Sequence, residues 1–225
     1  MGNAPANSES GPKCRSSTRS IRWFIGLAIP LIVSMAAASP LLPLGDNFHV
    51  VIHGCVYRSG QLSPESLEHC IAHKRIRSII NLRGANPGDD WYEQELAVAR
   101  RHGLHFYDLP VDSQCPTPVE LRQLLGVMEP CPKPVLIHCQ SGIDRSGIVA
   151  AICVLLLDES GSLSRARAHL GWRYGHMPWC ENTTVQEKFL DGYQTWLTEH
   201  CQSHARSRFR NWLVAVSGDK QPRAQ

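Results

Sequence analysis

The run Val135-Leu-Ile-His138-Cys139-Gln140-Ser141-Gly142-Ile143-Asp144-Arg145-Ser146 constrains this chain more than any other stretch. A short β-branched and leucine segment ends at a cysteine, a five-residue loop follows, Arg145 closes it, and an apolar run extends from Gly147 to Leu157. The pattern predicts a buried strand, a tight loop and a buried helix. In such a loop successive N–H groups turn inward as an anion nest, with the positive end of the following helix behind them. Cys139 over that field is expected as a thiolate, the reactive form of the side chain. Arg145 offers a planar fork for two oxygens of one anion. Gly142 permits the close backbone approach that a nest needs. Ser146 is placed to donate a hydrogen bond to the sulfur.

His138-Cys139, five residues, then Arg145-Ser146 resembles the signature of the cysteine-dependent protein tyrosine and dual-specificity phosphatases. The small tyrosine phosphatases carry this loop near the N-terminus; its central position here resembles the dual-specificity type. The resemblance implies thiolate attack on phosphorus, a cysteinyl-phosphate intermediate and its hydrolysis by water, with no metal and no cofactor. It makes Cys139 the nucleophile, Arg145 and the loop amides the phosphate ligands, and Ser146 the residue that assists breakdown of the intermediate. Gln140, Ser141, Gly142 and Ile143 then line the substrate. Two other readings compete: a buried free cysteine near a surface arginine, and a rhodanese-like sulfurtransferase, whose loops lack this histidine and arginine-serine frame. A catalytically silent phosphate-binding module is a third.

Expelling an alkoxide or phenoxide requires a general acid. The resemblance implies an aspartate from a loop before the cysteine strand, and Asp112 in Leu109-Pro-Val-Asp-Ser113 occupies such a loop, although no Trp-Pro-Asp triplet is present. Asp108 alternates with Tyr107 and Leu109 inside a strand, where a structural bond or solvent is its expected partner. Asp144 beside Arg145 resembles the loop ending of myotubularin-like and Sac-type inositide phosphatases, and is a second candidate acid. Arg58 in Tyr-Arg-Ser-Gly and Arg83 in Asn-Leu-Arg-Gly stand at strand ends as substrate contacts or structural cations, with Arg83 retained as a substrate ligand. His138 is expected to orient the loop, and His176 to be a turn residue or pocket wall. With no lysine among the variable loop positions, a phosphoprotein substrate ranks before a phospholipid.

The 225 residues suffice for one domain with extensions. A net charge of +3 gives no reason to expect nucleic acid. The nine cysteines are scattered and form no CxxC pair, which argues against a zinc site or a disulfide scaffold. Residues 1–22 read as a disordered basic tail carrying Lys13, Arg15, Arg19 and Arg22. Residues 23–44 contain no charge, and with about 20 apolar residues needed to span a bilayer they form a marginal, proline-interrupted span. The expectation is a single-pass membrane anchor with the catalytic domain on the non-cytoplasmic, periplasmic side. The alternative is secretion after signal cleavage near Ala36-Ala37-Ala38. Either placement sets an oxidising compartment against the need for a reduced Cys139.

The phosphatase domain is expected over 47–200, followed by a C-terminal helix and tail over 201–225. Phe48–Ile52 and Val56–Arg58 predict a hairpin. Helices are predicted from Ser63-Pro64, from Asp89 or Asp90 to Gly103, and from Thr117-Pro118 to Met128. Strands are predicted over 77–82 and 105–109. Further helices are expected over 163–174, from Asn182 or Thr183, and over 205–216, the last either packed on the domain or lying on a membrane surface. Strands alternating with helices give an α/β class with a central, mainly parallel, twisted sheet flanked by helices. The loops after Leu82, Leu109 and His138 should then converge at the carboxyl edge of that sheet.

Overall fold

A computed structural model describes the chain at residues 1–2, 46–177, 179 and 181–218. The expected anchor or signal at 23–44 and nearly all of the basic tail lie outside the described residues. Among the described residues no helix is long and apolar enough to cross a membrane.

Five strands form one sheet in the order β1-β2-β5-β3-β4. They are β1 (His49–Ile52), β2 (Val56–Ser59), β3 (Ser78–Asn81), β4 (His105–Asp108) and β5 (Val135–His138). The sheet is mixed: β1 runs antiparallel to β2, and the pairs β2–β5, β5–β3 and β3–β4 are parallel. The antiparallel edge follows from chain length, because His53-Gly54-Cys55 suffices for a hairpin whereas a parallel crossover needs about a dozen residues. Gly54 supplies the positive φ of that turn, at 66°.

Helix α1 (Pro64–Lys74) begins where Ser63 accepts the Ser66 N–H. Helix α2 (Asp90–Arg101) begins at Asp89, whose carboxylate accepts from the Trp91 indole in place of a capping bond. Helix α3 (Pro118–Met128) starts in a capping box of Thr117 and Glu120. Helix α4 (Asp144–Leu157) begins earlier than the apolar run suggests, so Arg145 belongs to its first turn. In place of one helix over 163–174, α5 (Leu163–Ala168) stops and a 3₁₀ turn follows at Trp172–Tyr174. The break falls at Gly171, whose ψ of 167° is extended. Helix α6 (Glu181–Glu199) puts Asn182 and Thr183 inside its first turn instead of at the cap. Helix α7 (Arg206–Val216) completes the described chain.

Strand alternation distributes the core over both faces of the sheet. Val56, Ile80, Val135 and Ile137 pack with α3, α4, α6 and α7, while Tyr57, Ile79 and Leu136 pack with α1 and α2. Helix α4 is apolar around its circumference and is buried from Ser146 to Leu156, as a helix enclosed on all sides must be. Phe209, Trp212 and Leu213 of α7 belong to the same core, against Tyr193 of α6. The compact fold therefore extends past the boundary expected at residue 200, and α7 is packed on the domain. The seven described cysteines are free.

Phe209 is fully buried among aromatic rings. Phe209→Ala is expected to lower unfolding free energy by about 3–5 kcal/mol in urea denaturation.

Candidate active site

The strand ends are level. Ser59 pairs with His138, His138 with Asn81 and Asn81 with Asp108, so four parallel strands end in one row. The loops that follow them leave the same edge, and β5, the central strand of the five-stranded sheet, delivers Cys139. This is the convergence expected from strand order.

The loop from Cys139 to Ile143 is held by its carbonyls. That of Gln140 accepts the Gln61 N–H at 3.0 Å. Asn47 Nδ2 donates to the Ser141 and Gly142 carbonyls at 3.2 and 3.1 Å. Arg58 Nη2 donates to the Gly142 carbonyl at 2.6 Å and to that of Ile143 at 3.2 Å. His176 Nε2 lies 2.9 Å from the Ile143 carbonyl. In a trans peptide the C=O of one residue and the N–H of the next point opposite ways. Fixing these carbonyls outward turns the N–H groups of residues 141–144 toward the interior of the loop. The Gly142 N–H donates to Cys139 Sγ at 3.2 Å, and the N–H groups of Ser141 and Ile143 meet no protein acceptor among the described residues.

Two contacts set the residue types. Gly142 has φ of 72°, and a Cβ there would stand 2.5 Å from the Gly60 nitrogen, so backbone packs on backbone. A Cβ on Gly147 would meet His176 Nε2 at 2.4 Å, so this glycine admits the imidazole to the start of α4.

Arg58 is fully buried and is structural, not a substrate contact. Beyond the loop carbonyls it donates to the His169 carbonyl at 2.9 Å, and its guanidinium lies over the Tyr174 ring. Burial pushes its pKa down to about 10. The imidazoles nearby are kept neutral: burial first and the Arg58 charge second push His169 down to about 4. His49 is lowered in the same way, and burial is the main cause of the lowered value at His176.

Arg145 is half-buried and its Nη1 reaches the Leu82 carbonyl at 3.4 Å. The Ser146 hydroxyl donates to the Ser59 carbonyl at 3.1 Å, tying α4 to β2, where a bond to the sulfur was expected. Asp112 is exposed, and its Oδ1 accepts from the N–H groups of Gln114 and Cys115 at 2.8 and 3.4 Å. Asp144 opens α4, with its Oδ1 3.8 Å from His176 Nδ1. Asp108 makes the structural bonds expected of it, accepting from Asn81 and Tyr92. Arg83 donates to Gln61 Oε1 at 3.0 Å and stacks on Trp91. Gln140 and Ser141 are exposed at the loop, and Ile143 is half-buried beneath Gly175.

Sequence reasoning missed several residues of this frame. His138 sits 3.1 Å from Glu95 Oε1, both buried. Glu95 shares the inward face of α2 with Tyr92, Val98 and Ala99, and an acid on an apolar stripe was the available signal. Gln186 is fully buried, and its Nε2 donates to the Ser113 and Asp144 carbonyls at 3.1 and 3.3 Å, joining the Asp112 loop to α4. Asn47 and Gln186 carry no such signal, because each acts on backbone more than 40 residues away. Among the described residues no cluster of His, Cys, Asp and Glu is arranged to hold a metal ion.

Because His169 has a folded pKa below its unfolded value, the unfolded chain takes up its proton first. The stability held by the neutral ring is complete above pH 6.5 and is lost as the pH falls toward about 4. Urea denaturation should record a loss of roughly 3 kcal/mol over that window, with a shallower slope in His169→Gln.

A family model described as DSP-PTPase phosphatase fused to NAD+ kinase matches residues 45–173, more than half of the chain. A β-lactamase hydrolase-like protein of Xylella fastidiosa strain 9a5c is 29% identical over 130 residues, covering 54% of this chain and 29% of the relative. The chain thus spans less than a third of that relative's length. The core catalytic domain of the PP-IP phosphatase SIW14 from S. cerevisiae, in complex with citrate, superposes with a TM-score of 0.51 at 20% identity, over 67% of this chain and 94% of that one. TpbA of P. aeruginosa superposes with a TM-score of 0.50 at 16% identity, over 70% of this chain and 94% of that one. These two structures share the fold. With the HCx5RS loop at the carboxyl edge of the sheet and the family match across it, the chain belongs to the cysteine-based dual-specificity phosphatases, in the family of DSP-PTPase phosphatases fused to NAD+ kinase.

Proposed function

We propose that this chain hydrolyses phosphomonoesters through a cysteinyl-phosphate intermediate. The observation that carries the reading is the outward fixing of the loop carbonyls, which leaves a ring of N–H groups around Cys139 Sγ. In the first step the Cys139 thiolate attacks phosphorus, the P–O bond to the leaving group breaks, and an acid protonates the departing oxygen. In the second, water attacks the phospho-cysteine, the carboxylate formed in the first step takes its proton, and the sulfur leaves as thiolate. Arg145 and the amides of 141–144 hold the phosphoryl oxygens, whose charge spreads in the transition state. The Gly142 N–H, already 3.2 Å from Sγ, takes the role of donor to the departing sulfur that the resemblance gave to Ser146. Ser146 acts by holding α4 in place.

Asp112 is the proposed acid. Its loop is pinned: Glu120 accepts the N–H groups of Asp112 and Thr117, and Gln186 ties Ser113 to the start of α4. A tethered loop beside the phosphate site presents its carboxyl without the entropic cost of an unrestrained one. Asp144 is the second reading, favoured by its place at the start of the catalytic helix with His176 nearby. In either case the leaving group is drawn from phosphoprotein esters first and phospholipids second. On sequence grounds residues 23–44 attach the chain to a membrane, with the catalytic domain on the non-cytoplasmic side.

With p-nitrophenyl phosphate, Cys139→Ser is expected to abolish turnover while still binding phosphate. Asp112→Asn should reduce kcat by about 10²–10⁴ and remove the alkaline limb of the pH–rate profile of kcat/KM, which Asp144→Asn keeps. The reverse pattern assigns the acid to Asp144, and full activity in both variants rejects both aspartates. A topology reporter fused after Gln225 should read out on the non-cytoplasmic side.

A further inference from the structure

The fold brings two guanidinium groups to one rim without giving either an acidic contact. Arg145 Nη1 reaches the carbonyl of Leu82, the residue before Arg83. Arg83 donates to Gln61 Oε1 at 3.0 Å, and the Gln61 N–H donates to the Gln140 carbonyl at 3.0 Å. One glutamine thus ties Arg83 to the catalytic loop. The Arg83 guanidinium carbon lies 3.3 Å from the centroid of the Trp91 ring, a cation–π contact that fixes the plane of the fork.

Both cations end on neutral acceptors. Among the described residues no carboxylate lies within ion-pair distance of Arg83 or Arg145, whereas Arg101 and Arg210 each have one and Arg167 has two. Burial first and the Arg145 charge second lower the Arg83 pKa, the response of one cation to another, with Glu95 and Asp89 opposing it more weakly. Gln61 Nε2 is buried and has no acceptor among the described residues. Its amide is not free to flip, because that would turn the NH₂ group toward the Arg83 donor. An unneutralised guanidinium held flat on an indole, with a second cation close by, is a site for an anionic oxygen.

We propose that Arg83, oriented by Gln61 and backed by Trp91, forms a second phosphate subsite beside the catalytic loop, so that the preferred substrate carries a second phosphoryl group near the scissile one. The inference rests on the Cys139 loop as the first phosphate site. It locates a cation for polyphosphorylated substrates on the loop after β3, where the lysine-free catalytic loop has none. A phosphoryl group there neutralises Arg83, which a phosphate held by Arg145 in the nest does not do.

The test uses the full chain and two matched substrate pairs. One is a peptide with two adjacent phosphorylated side chains against its singly phosphorylated form; the other is a small vicinal bisphosphate against its monophosphate. In at least one pair kcat/KM should favour the doubly phosphorylated member by about tenfold or more, and the pair that shows it identifies the source. Arg83→Gln should reduce that preference to within about twofold, with circular dichroism confirming the fold. Gln61→Leu, which removes the tether on Arg83, should reduce it as well. Calorimetry should show pyrophosphate binding about tenfold more tightly than orthophosphate to the wild type, with the difference lost in Arg83→Gln. Equal kcat/KM within both pairs, or a preference that persists in Arg83→Gln, overturns the subsite. Hydrolysis of the singly phosphorylated members reads the catalytic assignment separately, and its absence refutes that assignment while calorimetry still decides the subsite.

Discussion

A buried cation holds the catalytic loop open. Arg58 lies wholly inside the protein, where an unpaired charge costs several kcal/mol, and no carboxylate among the described residues meets it. Its compensation is a set of carbonyls: Gly142, Ile143 and His169 each accept from it, and the Tyr174 ring covers its face. The arrangement works in one direction only. Carbonyls drawn toward Arg58 leave their partner N–H groups facing the opposite side, so a positive charge in the core prepares a site for a negative one at the surface.

The same logic explains the neutral imidazoles. His169 places Nδ1 3.4 Å from Arg58 Nη1, which is tolerable only for a ring that accepts a hydrogen bond there. Tyr174 stacks on His169 and accepts from Asn47 through its carbonyl, so the segment around the 3₁₀ turn and the start of β1 close on one loop from outside. On the other side, Gln186 and Glu120 anchor the loop that carries Asp112. The nucleophile loop and the candidate acid loop are thus fixed by separate sets of residues and meet at the first turn of α4.

The legible part of the fold was local. Ser63, Thr117 and Glu120 announce helix starts because a cap is a contact across three residues, and β5 with α4 announces itself through an unbroken apolar run. The hairpin was legible for the same reason. The break between α5 and the 3₁₀ turn was not, since the segment after Gly171 is held by Asn47 and Ile143, far away in sequence. The packing of α7 was only half legible: its apolar face is in the sequence, but what covers that face is Tyr193 and Phe189 of α6.

The sequence by itself determined the proposed reaction centre, because a cysteine, a loop that can form a nest and an arginine fall within seven consecutive positions and need no distant residue to be recognised. Only the tertiary structure decided what stabilises and surrounds that centre. Arg58 proved structural, Ser146 bonded to β2, and Arg83 came to stand beside Arg145. These outcomes depend on strand register, which aligns Ser59, His138, Asn81 and Asp108 in one row, and register is a property of paired strands that no single segment contains.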